Sequence, residues 1–250
     1  MAAKDWRGDP RFFSLEERIK HALVPPRLYL RNLAHRRMRS GEKELRLLRA
    51  LVDPGRVTID IGANKRVYSY WLSRMSRQVL AFEPNPKIYG LLARSVASNV
   101  ATHEVALSNA EGTAELILPV QRSGRFSNQG ATLQRRKLDD GKKFAVWRVP
   151  QKRLDSYDAR DVAFIKIDVE GFELEVLEGA EKTLARERPV MLIEIDEHHS
   201  KIQVDDAVAR VRSYGYDCYY VSRSSLRHYS ALASDHDRTR TDNFVFFPVG

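Results

Sequence analysis

Cysteine occurs once in the 250 residues, at position 218, so no internal disulfide can form. Cys218 stands in the run YDCYY, where a thiol reads as a buried strand side chain rather than a nucleophile. Such sparse cysteine suits a reducing cytoplasm. No apolar run approaches the roughly 20 residues that a bilayer-spanning helix needs. The opening MAAKDWRGDP has no apolar core of a secretory signal. Cytoplasmic placement is therefore expected, with peripheral membrane contact left open by the basic segment described below. Two glycine patterns are also missing. A dinucleotide fingerprint needs G-x-G-x-x-G so that backbone can approach a pyrophosphate. Here those positions read Gly62, Asn64 and Val67, which argues against a nicotinamide-dependent oxidoreductase. The phosphate loop G-x-x-x-x-G-K-[ST] is absent as well.

Against those absences, 43% hydrophobic and 30% charged residues describe a soluble globular chain. Its length allows one α/β domain with a short extension. The most informative stretch is VTIDIGANKRVYSY, from Val57 to Tyr70. A β-branched strand ends at Asp60, turns through Gly62-Ala63-Asn64 and enters a segment with helical spacing. A strand–turn–helix unit of this kind presents free backbone N–H groups and a helix N-terminus at the carboxyl edge of a parallel sheet. The next apolar strand ends at Glu83, which follows Asp60 by 23 residues. An acid at about that distance is placed to accept both hydroxyls of a ribose. Asp60 suits a cationic or amine-bearing ligand better than a phosphate. S-adenosylmethionine combines an ammonium and a ribose with no phosphate, and this chemistry points to a methyl donor.

The segments VTIDIGAN, AFEPNP and FIKIDVEGFELEVLEGA resemble, in this order, the FkbM family of S-adenosylmethionine-dependent methyltransferases. The resemblance covers roughly residues 45–248, and the third segment is its most specific part. It implies a Rossmann-like class I methyltransferase fold with a mostly parallel seven-stranded sheet and helices on both faces. It also implies O-methylation of a sugar, a glycan or a related secondary metabolite. By position, Asp60, Gly62, Ala63 and Asn64 would form the loop around the donor's methionine end, with Tyr68 beside it. Glu83 would hold the ribose, Pro84 and Asn85 would shape the turn, and Asp168 and Glu170 would stand beside the reacting methyl. One position departs from the family pattern: Arg66 replaces a glycine. An arginine there needs space or an outward route, and its charge opposes a sulfonium. This keeps open a degenerate methyltransferase-like domain that binds without turnover.

Two regions are expected, a basic helical extension over residues 1–52 and a methyltransferase domain over 53–250. Helices are expected over Phe13–Leu23, about Leu28–Arg39 and about Glu42–Leu51, the last placing Leu45, Leu48 and Leu51 inward. Strands are expected at Val57–Ile61, Val79–Glu83, about His103–Leu107, Phe164–Asp168, Val190–Ile195, Tyr216–Val221 and Asn243–Phe247. Helices intervene at about Lys87–Ser98, Glu173–Arg186 and Val204–Tyr214. This alternation indicates a parallel sheet with an antiparallel last strand. Residues 112–149 interrupt the rhythm. They read as an antiparallel excursion, with strands at Thr113–Leu118 and Phe144–Val149 and a polar, mobile tip over the acceptor site.

An alcohol is a poor acid, so methyl transfer to a hydroxyl needs a base or a metal as the bond forms. Candidates cluster at the ends of the FIKID and VMLIEI strands: Asp168, Glu170, Glu194 and His198, with His199 adjacent. Asp168, Glu194 and His198 also make a plausible oxygen-rich site for Mg²⁺. Glu173, Glu175 and Glu178 read as the solvent face of the following helix. The net charge of +9 is uneven, with eight basic residues between Arg27 and Arg49 against Glu42 and Glu44. That run suits a solvated helix face, an anionic carrier or a membrane surface. Aromatics do not interleave with it as a stacking platform requires, so nucleic acid is the weakest partner.

Overall fold

The computed structural model describes residues 25–40, 43–64, 67–120, 126, 131–133, 143–197, 202–222, 225–234 and 242–250. The helix expected over Phe13–Leu23, Arg66, and the pair His198 and His199 lie outside the described residues. After helix α1 (Pro26–Ser40) come a 3₁₀ turn (Lys43–Arg46) and the single-turn α2 (Leu48–Leu51). The alternating part follows as β1 (Val57–Ile61), α3 (Val67–Leu72), β2 (Gln78–Phe82), α4 (Pro86–Ala93) and β3 (Val100–His103). A small sheet is then laid down by β4 (Ala106–Leu107), β5 (Gly112–Pro119) and β6 (Phe144–Lys152). The chain returns through β7 (Val162–Ile167), α5 (Glu173–Glu178), α6 (Glu181–Glu187), β8 (Val190–Glu194) and α7 (Val204–Arg212). It closes with β9 (Tyr216–Ser222), β10 (Ser225–His228) and β11 (Asn243–Pro248).

The main sheet has eight strands in the order β10-β9-β11-β8-β7-β1-β2-β3. The five strands from β8 to β3 are parallel, while β11 runs antiparallel to both β8 and β9. All five residues of β1 and all six of β7 are buried, the signature of parallel strands covered on both faces. Strand order reverses at the β1–β7 pair, so the crevice beyond their carboxyl ends is the topological switch point where α/β sheets bind ligands.

Two cores sandwich this sheet. Val57, Ile59, Ile61, Ile165, Ile167 and Ile193 face Val176, Leu177, Leu184, Val208 and Val211 of α5 to α7. On the other face Phe164, Leu192, Val79 and Val245 meet Leu72, Leu92, Leu45, Leu48 and Leu51. The extension thus shields the second face of the sheet. In α1, Leu30, Leu33 and Ala34 are buried and the arginines face solvent.

The structure corrects the expected outline at four places. The sheet has eight strands rather than seven, because SLRH folds back on β9 as an antiparallel edge. Its burial alternates between exposed and intermediate, so it carries no apolar run to announce it. The strand expected at His103–Leu107 splits between the two sheets, β3 pairing with β2 and β4 with β6. The helix expected over Glu173–Arg186 breaks at Gly179-Ala180. A Cβ on Gly179 would stand 2.0 Å from the Ser108 carbonyl oxygen, so the chain must bend around that contact. The new N-terminus of α6 is satisfied from afar by Asp155, which accepts from Lys182 N (3.1 Å) and Thr183 N (2.9 Å). Finally, the segment expected as one helix over Glu42–Leu51 is a 3₁₀ turn followed by one α-turn.

Leu48 is 0% exposed between α1 and the sheet. Leu48→Ala should therefore lower unfolding free energy by about 2–5 kcal/mol in urea titrations. A loss below about 0.5 kcal/mol would detach the extension from the core.

Candidate active site

A cavity of about 250 Å³ opens at the switch point. Its walls include Gly62 and Asn64 from the β1–α3 loop and Glu83, Pro84 and Asn85 after β2. Asp168 and Glu170 after β7 and Glu194 at the end of β8 complete its polar lining. Apolar surface comes from Phe82, Ile88, Val105, Leu107, Leu116, Ala131, Leu133 and Phe172. The sheet edge therefore collects eight of the sequence-predicted positions around one space. Three others stand off the wall. Asp60 is buried and accepts from the Ser69 hydroxyl of α3. Ala63 is buried in the second core, and Tyr68 is buried with its ring over Lys166.

The β1–α3 loop needs glycine because of close approach. Gly62 has φ +77°, and a Cβ there would lie 1.8 Å from the Asp168 carbonyl oxygen. Asn64 follows at φ 43°, a left-handed conformation that asparagine tolerates. The loop amides are not free, contrary to the expectation from sequence. Gly62 N and Ala63 N both donate to the Phe82 carbonyl (3.0 and 2.9 Å), and Asn64 N donates to Glu83 Oε2 (2.8 Å). Glu83 Oε1 accepts from Asn85 N (2.8 Å). Glu83 thus braces both turns that frame the cavity. Its burial, opposed by those two bonds, pushes its pKa up to about 7.

Glu173 is likewise not on a solvent face. It is 7% exposed, and its Oε1 accepts from Gly171 N (3.0 Å) and Val169 N (3.3 Å). It holds the turn that carries Asp168 and Glu170, where Glu170 and Gly171 take positive φ values of 57° and 101°. Burial pushes Glu173 up to about 7, against the pull of those backbone bonds. At the end of β8, burial and then the charge of Asp168 lift Glu194 well above the usual carboxylate range, with Lys166 opposing. Glu194 and Asp168 thus stand at the cavity wall with the Lys166 ammonium against both. Asp60, pushed up to about 6 chiefly by burial, stands behind them.

Lys166 was not among the residues picked from the sequence. Its Nζ lies 3.8 Å from Glu194 Oε2 and 4.0 Å from Asp168 Oδ2. The only trace of it in the sequence is a charge inside an otherwise apolar strand, FIKID. Its position also bears on Mg²⁺. The ammonium already stands between two of the three candidate ligands, and the third, His198, lies outside the described residues. Among the described residues no group of three or more His, Cys, Asp or Glu side chains is arranged to hold a metal. A divalent cation within about 4 Å of the ammonium would meet strong repulsion, so the residues present do not fit one.

The excursion covers the cavity. Its two strands β5 and β6 pair antiparallel, and Ile117 bridges Thr132 in both directions (2.8 and 3.1 Å). Thr132 Oγ1 donates to the Glu170 carbonyl (3.0 Å), which seats Ala131 and Leu133 against the opening. The expected mobile tip, SGRFSNQGATLQRRKLDDGKK over residues 123–143, lies largely outside the described residues.

The chain matches the family described as the Methyltransferase FkbM domain over residues 60–220, and it belongs to that family of methyltransferases. Among solved structures it is similar to the FkbM methyltransferase from Methylobacillus flagellatus KT, with 15% identity and a TM-score of 0.47. That alignment covers 96% of this chain and 59% of that one. It is also similar to precorrin-6y C5,15-methyltransferase from Geobacter metallireducens GS-15, with 13% identity and a TM-score of 0.45 over 83% and 87% of the two chains. A third is M. jannaschii TYW2 in complex with AdoMet, with 12% identity and a TM-score of 0.41 over 83% and 75%. No curated protein sequence matches the chain. The strand order and the parallel core define a class I methyltransferase fold, and the described residues contain no helix long and apolar enough to cross a membrane.

The burial of Glu173 has a thermodynamic consequence. Its folded pKa of about 7 exceeds the ordinary 4.5, so the folded state holds a proton that the unfolded state has lost. Stability falls as pH rises from 4.5 to about 7. Glutamine keeps the accepting oxygen and removes the titration. Glu173→Gln should reduce that fall by about 3 kcal/mol, at about 1.4 kcal/mol per pH unit, in denaturant titrations at either end of the window. Equal slopes in both proteins would show that Glu173 is ionised when folded.

Proposed function

We propose that the chain is an S-adenosylmethionine-dependent O-methyltransferase acting on a hydroxyl of a sugar, a glycan or a related secondary metabolite. The observation that carries this reading is the concentration of carboxyl groups around one cavity in a chain of net charge +9. Glu83, Asp168, Glu170 and Glu194 share its walls, and burial, with the charge of neighbouring carboxylates, raises the proton affinity of Glu83 and Glu194. Such a cavity favours a cationic ligand, which relieves the repulsion between like charges.

Each oxygen of Glu83 keeps a second lone pair for a ribose hydroxyl while bracing its turn. Ile88, Val105 and Leu107 offer an apolar wall to a planar base. Gly62, Asn64 and Asp168 would flank the methionine end. Bound there, S-adenosylmethionine supplies an electrophilic methyl for an in-line displacement. The chain's own contribution is to exclude water with Ala131 and Leu133, to orient the acceptor hydroxyl with Asp168 and to take its proton onto Glu194, whose raised proton affinity suits that task. Leu116 and Phe172 would shape the acceptor side. The exposed basic face of residues 27–49 suits an anionic carrier of the acceptor or a membrane surface.

Calorimetric titration with S-adenosylmethionine and with S-adenosylhomocysteine tests this reading. Both should bind at micromolar concentration. The charged donor should also release protons near neutral pH, because a cation lowers the pKa values of Glu83 and Glu194. Its affinity should consequently rise between pH 6 and 8 more steeply than that of the uncharged thioether. Glu83→Gln should weaken both ligands more than tenfold, about 1.5–3 kcal/mol for a lost charged acceptor. No binding of either ligand by folded protein would instead favour the non-catalytic binding domain.

A further inference from the structure

Lys166 lies in β7 with Phe164, Ile165 and Ile167 around it, and it is 1% exposed. An ammonium in such a place is costly to desolvate unless acceptors surround it. They do. Asn243 Oδ1 accepts at 3.3 Å and the Ile167 carbonyl at 3.4 Å. Glu194 and Asp168 stand at 3.8 and 4.0 Å, and the Tyr68 ring centroid at 5.1 Å. The register places Lys166 beside Asp60 on β1, whose carboxyl also feels its charge.

The two carboxylate distances matter. At 3.8 and 4.0 Å they exceed ordinary hydrogen-bond length, so the lysine lends charge to Asp168 and Glu194 without taking up their acceptor positions. Their lone pairs stay available to the cavity. Lys166 itself is not among the lining residues; its ammonium reaches the pair from within the buried strand. A divalent cation bridging two carboxylates would bring twice the positive charge but would occupy their oxygens and draw in waters.

We infer that Lys166 is a positioning residue for methyl transfer, its buried ammonium serving as the resident cation that holds Asp168 and Glu194 side by side without a metal. This rests on the methyl-transfer reading of the cavity. It also assigns the chain to the metal-independent kind of O-methyl transfer, with acceptors bound through hydroxyl-to-carboxylate hydrogen bonds rather than by chelation.

The test compares wild type, Lys166→Met and Lys166→Arg by thermal melting with EDTA or added Mg²⁺, and by turnover kinetics with an acceptor found by screening glycans. Wild-type melting and turnover should be unchanged by EDTA and by Mg²⁺. Lys166→Met should lose about 100-fold in kcat, with KM for S-adenosylmethionine within about threefold, because the donor-facing groups remain. Lys166→Arg should recover a large part of that loss. A purely structural lysine would lower the melting temperature without this split between kcat and KM. Loss of wild-type turnover in EDTA, a rise in wild-type melting temperature with Mg²⁺, or unchanged kcat in Lys166→Met would each overturn the inference. Should Lys166→Met fail to fold, the wild-type response to Mg²⁺ and the Lys166→Arg kinetics still decide it. Should folded wild type neither bind the donor nor turn over, the methyl-transfer reading falls, while the melting comparison still decides whether the ammonium occupies the cation position.

Discussion

The rim of this sheet depends on one contact, the approach of Gly62 to the Asp168 carbonyl. A single added carbon at residue 62 would sit 1.8 Å from that oxygen, so the ends of β1 and β7 can meet only through glycine. The approach is reinforced by Asp168 N, which donates to the Ile61 carbonyl (3.0 Å), and by Gly62 N and Ala63 N, which both reach Phe82. Three strand ends are thereby tied at one point. Glu83 and Glu173 extend the tie outward, each accepting two backbone N–H groups on a neighbouring turn. These buried acids are structural braces and site charges at once. A backbone N–H favours the ionised form of its carboxyl partner while burial disfavours it, and here burial prevails at both residues.

The distribution of charge follows from that arrangement. The arginines of α1 face solvent on the covered side of the sheet, where screening over about 8–10 Å limits their reach. The carboxyl groups converge at the sheet edge instead, and among the described residues the Lys166 ammonium stands within 3.8 and 4.0 Å of Glu194 and Asp168. A strongly basic chain thus carries a locally acidic cavity. Net charge alone would point to an anionic ligand, whereas the cavity walls point to a cationic one.

Much of this was legible in the sequence because parallel strands buried on both faces leave continuous apolar runs. VTIDI and VMLIE appear where such runs predicted them, and Gly62 announced the turn. The features that escaped have physical reasons. SLRH gains its place from hydrogen bonds along β9 rather than from buried side chains, so hydrophobicity could not reveal it. The break at Gly179 is set by a contact with Ser108 that is distant in sequence. Glu173 sits among acidic neighbours that look solvated, yet the first turn of a helix draws a carboxylate back onto the preceding amides. The amides of the Gly62 loop looked available to a ligand. Only the register of β2 against β1, which brings the Phe82 carbonyl beside them, shows that they are engaged.

The excursion is held to the rim of the cavity by bonds that do not involve the acid pair. It meets the turn after β7 through the Thr132 hydroxyl, which donates to the Glu170 carbonyl, a backbone acceptor, and its own frame includes the bridge between Ile117 and Thr132. Neither bond depends on the charge state of Asp168 or Glu194. The turn is braced separately by Glu173, and the acid pair lies against the Lys166 ammonium. Side chains at Leu116, Ala131 and Leu133 can therefore change the shape of the cavity while Asp168 and Glu194 keep their geometry. The wall contributed by the excursion and the acid pair at the strand ends rest on separate supports, so a change in one need not displace the other.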